Sequence, residues 1–86
     1  MSYKPFDLSG KVALVTGGNG GIGLGMADAI AQSGADVAIW GTNEEKNKRA
    51  GDQLRAHGVK VYTRKVDVSD EQQVVDGIGA TVKELG

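Results

Sequence analysis

Three short apolar runs alternate along the chain with three segments in which apolar residues recur every three or four positions. The runs cover residues 11–16, 36–40 and 59–63, and the last one continues with valines at positions 66 and 68. The helical spacing covers residues 22–33, a segment that ends at His57 and Gly58, and a segment that ends at Leu85. Such runs predict β-strands, and the spacing predicts amphipathic helices. A strand–helix unit repeated three times predicts parallel strands joined by right-handed crossovers, in the sheet order 3-2-1.

The first run, residues 11–16, is almost unbroken and rich in valine. Such a run is typical of a strand that is buried on both faces, as in a parallel sheet. The fold class that we predict is therefore α/β, a three-layer, doubly wound parallel sheet of which this βαβαβα chain is the first half. Trp40 ends the second run and is expected in the core, with packing near a ligand as the alternative.

The second helix begins at a good capping residue, Asn43, whose side chain can accept a hydrogen bond from the first turn. Only Ala50 and Leu54 form a clear apolar stripe on this helix, so we expect shallow burial at the surface. His57 follows at its end, where interaction with the helix dipole is the simplest expectation.

The third helix is preceded by Ser69, which opens the pattern of a capping box with Gln72. One face of this helix carries five apolar residues, Val74, Val75, Ile78, Val82 and Leu85. Gly77 and Gly79 each weaken the helix by up to about 1 kcal/mol relative to alanine, so we expect it to fray.

A cluster of five glycines separates the first strand from the first helix: Gly17, Gly18, Gly20, Gly21 and Gly23. The cluster contains the spacing Gly-x-Gly-x-x-Gly, and positions 17, 21 and 23 fit a second register. A strand that leads through glycines into a helix brings backbone N–H groups and a helix N-terminus to one point, where a phosphate can approach. A tight turn without a ligand is the alternative. The βαβ context favours nucleotide binding.

Composition narrows the functional classes. The 86 residues suffice for one domain at most, and the net charge of −1 gives no reason to expect nucleic acid or an anionic membrane as a partner. Without cysteine the chain has no disulfide or thiolate metal site, and a single histidine removes any multi-histidine site, so no metal is expected. No apolar run approaches the roughly 20 residues of a membrane span, and the N-terminus lacks the apolar core of a secretory signal. The expected location is cytoplasmic.

The stretch from Leu8 to Gly23 resembles the opening of the short-chain dehydrogenase/reductase family in its classical branch. The resemblance is carried by Thr16-Gly17-x-x-x-Gly21-Ile22-Gly23 and, after the third strand, by Asp67-Val68. It covers the whole chain but only about the first third of a family member. It implies that residues 1–86 are the N-terminal part of a single Rossmann NAD(P)-binding domain.

The resemblance also implies roles for individual residues around a nicotinamide dinucleotide. Gly17, Gly21 and Gly23 would shape the turn, and the backbone of residues 19–22 (Asn19, Gly20, Gly21 and Ile22) would lie near the pyrophosphate and the nicotinamide ribose. Asp67 would accept a hydrogen bond from the adenine amino group, and Val68 would back the ring. A loop or helix-cap carboxylate is the alternative for Asp67.

Preference between the two cofactors is expected at the end of the second strand, about 20 residues beyond the glycines. A carboxylate there would repel a 2′-phosphate, but the chain has Gly41 and Thr42. Asp36 lies at the start of that strand and is expected to be a surface charge. We therefore predict NADP as the preferred cofactor and NAD as the alternative. The basic cluster at residues 46–49 is expected to be a solvated helix face, with contact to the ribose phosphate as the alternative.

The resemblance implies hydride transfer between the cofactor and a small-molecule alcohol or carbonyl substrate, of the sugar/polyol or 3-oxoacyl type. It also implies a catalytic tyrosine with a lysine four residues later. Asp7 stands four residues after Tyr3 and Val66 four after Tyr62, so we assign no catalytic residue in this chain. A stand-alone nucleotide-binding or interaction module is the alternative to part of an oxidoreductase.

In the 3-2-1 order the first strand lies at an edge of the sheet. An open apolar edge is prone to pair with another copy of the chain. We therefore expect a homo-oligomer or marginal stability.

Overall fold

The structure is a computed structural model and describes residues 10–17 and 20–86. Six elements follow one another: β1 (Val12–Thr16), α1 (Gly21–Gln32), β2 (Asp36–Gly41), α2 (Glu44–Arg55), β3 (Val61–Lys65) and α3 (Glu71–Leu85). The alternation of strand and helix predicted from the sequence is confirmed. Asn19 and the segment before Gly10 lie outside the described residues.

The three strands form one parallel sheet in the order β1-β2-β3, with β2 in the centre. Val12 pairs with Asp36 at the amino end of β1, and Thr16 pairs with Trp40 at its carboxyl end. β3 continues the register, with Gly41 opposite Lys65. The predicted sheet order and the α/β fold class are confirmed, and all carboxyl ends meet at one edge of the sheet.

One face of the sheet is covered by α1 and α2. Its core consists of Val37 and Ile39 from β2 together with four helix residues, Ala27, Ala31, Ala50 and Leu54. The prediction that α2 is only shallowly buried is wrong, because Leu54 is fully buried and Gly51 lies directly against β3. A Cβ on Gly51 would come within 2.9 Å of Thr63 Cγ2, so the missing side chain allows this close approach.

The opposite face of the sheet is covered by α3. Trp40 is buried beneath this helix, and its indole N–H donates to Thr81 Oγ1 at 3.2 Å. The buried residues of α3 are Gly77 and Thr81. Three of the five apolar residues predicted to form one face are exposed, namely Val75, Ile78 and Val82. The apolar pattern of α3 thus did not identify the side of the helix that packs on the sheet.

β1 is less buried than its sequence predicts. Val12 and Leu14 are 42% and 44% exposed, whereas Ala13 and Val15 are half-buried on the side of α1. The expectation of burial on both faces is wrong for the described structure, since α3 lies over β2 and β3. Because β1 is the edge strand, its side chains on the α3 face are left exposed.

The starts of α2 and α3 follow the same capping chemistry. Asn43 Oδ1 accepts from Lys46 N at 3.0 Å, which confirms the predicted cap of α2. The cap of α3 is Asp70, not Ser69: Asp70 Oδ1 accepts from Gln73 N at 3.2 Å, and the Gln73 amide donates to Asp70 Oδ2. Ser69 is bonded to Asp67 instead, so the cap moves by one residue.

Candidate functional site

A cavity of about 380 Å³ opens where the three strands end. It is lined by residues from β1, β2 and the segment that follows β3: Thr16, Gly17, Trp40, Gly41, Thr42, Val66, Asp67 and Val68. The crevice beyond the carboxyl ends of the strands is where open parallel α/β sheets bind ligands. Five of the predicted site residues, Gly17, Gly41, Thr42, Asp67 and Val68, line this cavity.

The glycine turn leads from β1 into α1 beside the cavity. Gly17 has φ +69° and Gly21 has φ +56°, in a backbone region that residues other than glycine rarely adopt. A Cβ built on Gly17, Gly20 or Gly21 would meet nothing within 4 Å, so the space in front of the turn is open. At these three described positions the turn therefore presents bare backbone to that space.

The start of α1 is uncapped by side chains. Gly20 is the N-cap residue, and neither a side-chain cap nor an acidic residue in the first turn competes for the amide groups there. The first N–H groups of a helix have no partner within the helix and favour an anion. Gly23 is half-buried in this turn, whereas the Ile22 side chain is 85% exposed. Ile22 is thus nearly free of packing contacts with the described residues.

The end of β2 is held by a residue that sequence reasoning missed. The Gly41 carbonyl accepts from Val66 N at 3.2 Å and from Asn47 Nδ2 at 3.0 Å. Asn47 Nδ2 also donates to the Arg64 carbonyl at 3.2 Å. A signal for Asn47 existed in the sequence: the position is in phase with Ala50 and Leu54 on the buried stripe of α2, where a polar side chain needs partners.

Asp67 lies at the rim of the cavity in a defined orientation. Its Oδ1 accepts from Ser69 Oγ at 2.6 Å and from Ser69 N at 2.9 Å. These two hydrogen bonds lower the pKa of the Asp67 carboxyl below its ordinary value, and the one from the Ser69 hydroxyl has the larger effect. Asp67 is therefore an ionised acceptor at neutral pH, and it also orders the loop before α3.

Two charged groups considered from the sequence lie elsewhere. Asp36 is at the amino end of β2, where its Oδ1 accepts from Lys60 N at 2.9 Å, so it is a structural residue at the opposite edge of the sheet. In the basic cluster of α2, Arg49 pairs with Glu45 at 2.7 Å, and both side chains are solvated. None of these residues lines the cavity.

Tyr62 is also remote from the cavity. It lies within β3, and its hydroxyl accepts from Arg64 Nη1 at 3.2 Å.

No described helix has both the length and the apolarity of a membrane span. Among residues 10–17 and 20–86, no group of three or more acidic, histidine or cysteine side chains could hold a metal ion.

Comparisons with known proteins identify the family to which the chain is related. Residues 11–86 match the family model described as short chain dehydrogenase. The chain is 42% identical over 81 residues to a gluconate 5-dehydrogenase from Gluconobacter oxydans, covering 94% of this chain and 32% of that protein. It is 45% identical over 69 residues to a 3-oxoacyl-[acyl-carrier-protein] reductase from Chlamydia pneumoniae, covering 80% of this chain and 28% of that protein.

A solved structure shows the same architecture. The crystal structure of an NAD⁺-bound xylitol dehydrogenase superposes with a TM-score of 0.89 at 34% sequence identity, over 92% of this chain and 30% of that one. The chain thus spans about a third of the length of the relatives that it matches.

Proposed function

Because the chain belongs to the short-chain dehydrogenase family, we propose that it is the dinucleotide-binding part of an oxidoreductase. In this proposal residues 1–86 are the N-terminal part of one NAD(P)-binding domain. When bound, the nicotinamide dinucleotide supplies the site that accepts or donates a hydride. The observation that carries the proposal is that Gly17, which begins the glycine turn, lines the strand-end cavity, while the space around Gly17, Gly20 and Gly21 is open.

The described residues fit such a cofactor. Open space in front of Gly17, Gly20 and Gly21 would admit a pyrophosphate, and the uncapped start of α1 favours negative charge there. Asp67 would accept the adenine amino group, with Val68 beside the ring. The backbone of Asn19 and Ile22 would complete the proposed contacts, and Gly23 would shape the turn, as the family resemblance implies.

We propose NADP as the preferred cofactor. Asp67 is the only acidic residue that lines the cavity in the described part of the chain, and Gly41 and Thr42 occupy the end of β2. A ribose 2′-phosphate would therefore meet no carboxylate at that strand end. The Thr42 hydroxyl and a backbone N–H can donate to it, though less firmly than an arginine would.

The substrate in the whole protein is proposed to be a sugar or polyol, or a 3-oxoacyl compound. This proposal rests on the names of the relatives, a gluconate 5-dehydrogenase and a 3-oxoacyl reductase. The expected cytoplasmic location and the expected self-association along β1 stay predictions.

Titration of the 86-residue chain with NADP and NAD tests the proposal. Calorimetry measures the two dissociation constants, and fluorescence of Trp40, the single tryptophan, gives a second signal because this residue is among those that line the cavity. We expect saturable binding of both, tighter for NADP. Absence of binding to either would overturn the proposed function, whereas tighter binding of NAD would overturn only the cofactor preference.

Two glycine variants separate loss of the site from loss of the fold. Gly21→Ala places a methyl group in the open space before the turn, and Gly58→Ala makes the same change at φ +82° in the loop between α2 and β3. Both pay a backbone strain of about 1–2 kcal/mol in the left-handed region. Only Gly21→Ala should also weaken dinucleotide binding, by about tenfold or more. Equal effects of the two variants on binding would place the pyrophosphate elsewhere.

A further inference from the structure

Asn47 is a buried polar residue whose task is not explained by the packing of α2. It is 2% exposed and lies on the same stripe as Ala50 and Leu54. An apolar side chain there would pack against the strands without needing hydrogen-bond partners. A buried amide is costly unless its donors are satisfied, and Asn47 satisfies them at the ends of two neighbouring strands, on Gly41 and Arg64.

These hydrogen bonds determine the orientation of the peptide group that joins Gly41 to Thr42. The Gly41 carbonyl points toward β3, since it accepts from Val66 N as well as from Asn47. A trans peptide is planar, so the Thr42 N–H points the opposite way, toward β1. The alternation along β2 agrees, because the preceding carbonyl, that of Trp40, faces β1 and accepts from Gly17 N at 2.8 Å.

The cavity extends to that side: Val66, Asp67 and Val68 line it beyond β3, and other residues line it above the end of β1. Thr16, Gly17 and Thr42 all border it, so the Thr42 N–H is directed to the space above the end of β1. The chain bends away from the sheet at Thr42, and β2 therefore has no further residue to hold this peptide in place. The peptide is restrained instead by the Val66 N–H and by the Asn47 side chain, which both donate to the Gly41 carbonyl.

We infer that Asn47 is a positioning residue for recognition of the cofactor's adenosine ribose. By holding the Gly41–Thr42 peptide, it aims the Thr42 N–H at the substituent on the ribose 2′ position. The inference rests on the proposed dinucleotide-binding function. A fixed N–H donor interacts more strongly with a phosphate than with a hydroxyl, since the phosphate is charged. Asn47 therefore raises the affinity for NADP more than that for NAD.

The variant Asn47→Leu tests this, because leucine has a similar size and donates no hydrogen bond. We expect the dissociation constant for NADP to rise about tenfold and that for NAD to change about twofold or less, so that the ratio between them moves toward one. Leu54→Val is the matched control on the same stripe of α2: it lowers the melting temperature but should leave the ratio unchanged. Asn47→Ala is a second variant, measured at a temperature at which its circular dichroism equals that of the wild type. Its ratio of the two dissociation constants should match that of Asn47→Leu.

A measurement on the unmodified chain needs no variant. In ¹H–¹⁵N correlation spectra, saturation with NADP should shift the Thr42 amide resonance strongly, and saturation with NAD should shift it less. If the wild type binds both dinucleotides but the ratio survives in the Asn47 variants, or the Thr42 amide does not respond, the inference is overturned while the proposed function stands. If the wild type binds neither, the proposed function fails and the inference fails with it.

Discussion

Gly77 of α3 offers a sharp test of how this helix packs on the sheet. A Cβ on Gly77 would lie 2.8 Å from Trp40 Cζ2 and 3.1 Å from Cη2. The indole cannot easily yield, because Trp40 is 2% exposed and its N–H is bonded to Thr81. Gly79, two residues further along the same helix, has nothing within 4 Å of its Cβ position. The two glycines thus share a helix but differ in their surroundings.

The two alanine variants, Gly77→Ala and Gly79→Ala, are expected to change the free energy of unfolding in opposite directions. Replacing a glycine by alanine within a helix stabilises by about 0.5–1 kcal/mol, and Gly79→Ala should show this gain in full. Gly77→Ala has the same gain, but it adds a methyl group to a filled space, at a cost of about 1–3 kcal/mol. The net effect of Gly77→Ala is a destabilisation of about 1 kcal/mol. Since the helix contribution is common to both variants, their difference measures the steric cost alone.

Urea unfolding, followed by circular dichroism and by Trp40 fluorescence, measures both variants. In a domain of this size, 1 kcal/mol corresponds to about 4–8 °C in melting temperature, so thermal melts give an independent value. Gly77→Ala should also alter the fluorescence of the folded state, because the ring must move. Two variants that stabilise equally, within about 0.5 kcal/mol, would show that Trp40 does not lie against Gly77.

Two further predictions concern acid stability and catalysis. The hydrogen bond from His57, with a second from Gln32, lowers the pKa of Asp28, and His57 Nε2 lies 2.7 Å from Asp28 Oδ1. The lowered pKa of Asp28 stabilises the fold at pH values above the ordinary carboxyl pKa, and this stabilisation is lost as the pH falls through the pKa of the folded state. The free energy of unfolding of Asp28→Asn should therefore fall less steeply below about pH 5 than that of the wild type. Parallel curves for the two proteins would contradict this. The second prediction is that the 86-residue chain shows no change in reduced-nicotinamide absorbance when it is mixed with either dinucleotide and a polyol or a ketone. The reason is that Tyr62 is hydrogen-bonded to Arg64 and is followed four residues later by Val66, not by a lysine. Measurable turnover would refute the assignment of catalysis to residues outside this chain.

His57 shows where a local expectation was incomplete. Its position at the end of α2 indicated interaction with the helix dipole, but the structure places it against Asp28 of α1. The carboxylate comes from a part of the chain 29 residues away, and no spacing within α2 could have identified it. A similar competition moved the cap of α3, because Asp67 engages the hydroxyl of Ser69 and leaves Asp70 to cap the helix.

The sequence alone determined the order of strands and helices, their parallel arrangement and the glycine turn at the carboxyl edge. Those features depend on periodicity and on turn residues, which act over a few positions. The position of Asp67 and Val68 at the cavity was predictable for the same reason, since they follow the third strand. Only the tertiary structure decided that Trp40 lies against Gly77, that Asn47 joins the ends of β2 and β3, and that β1 is exposed on one face. Each of these depends on where a helix lies across the sheet, and that placement is set by close packing between residues far apart in the chain.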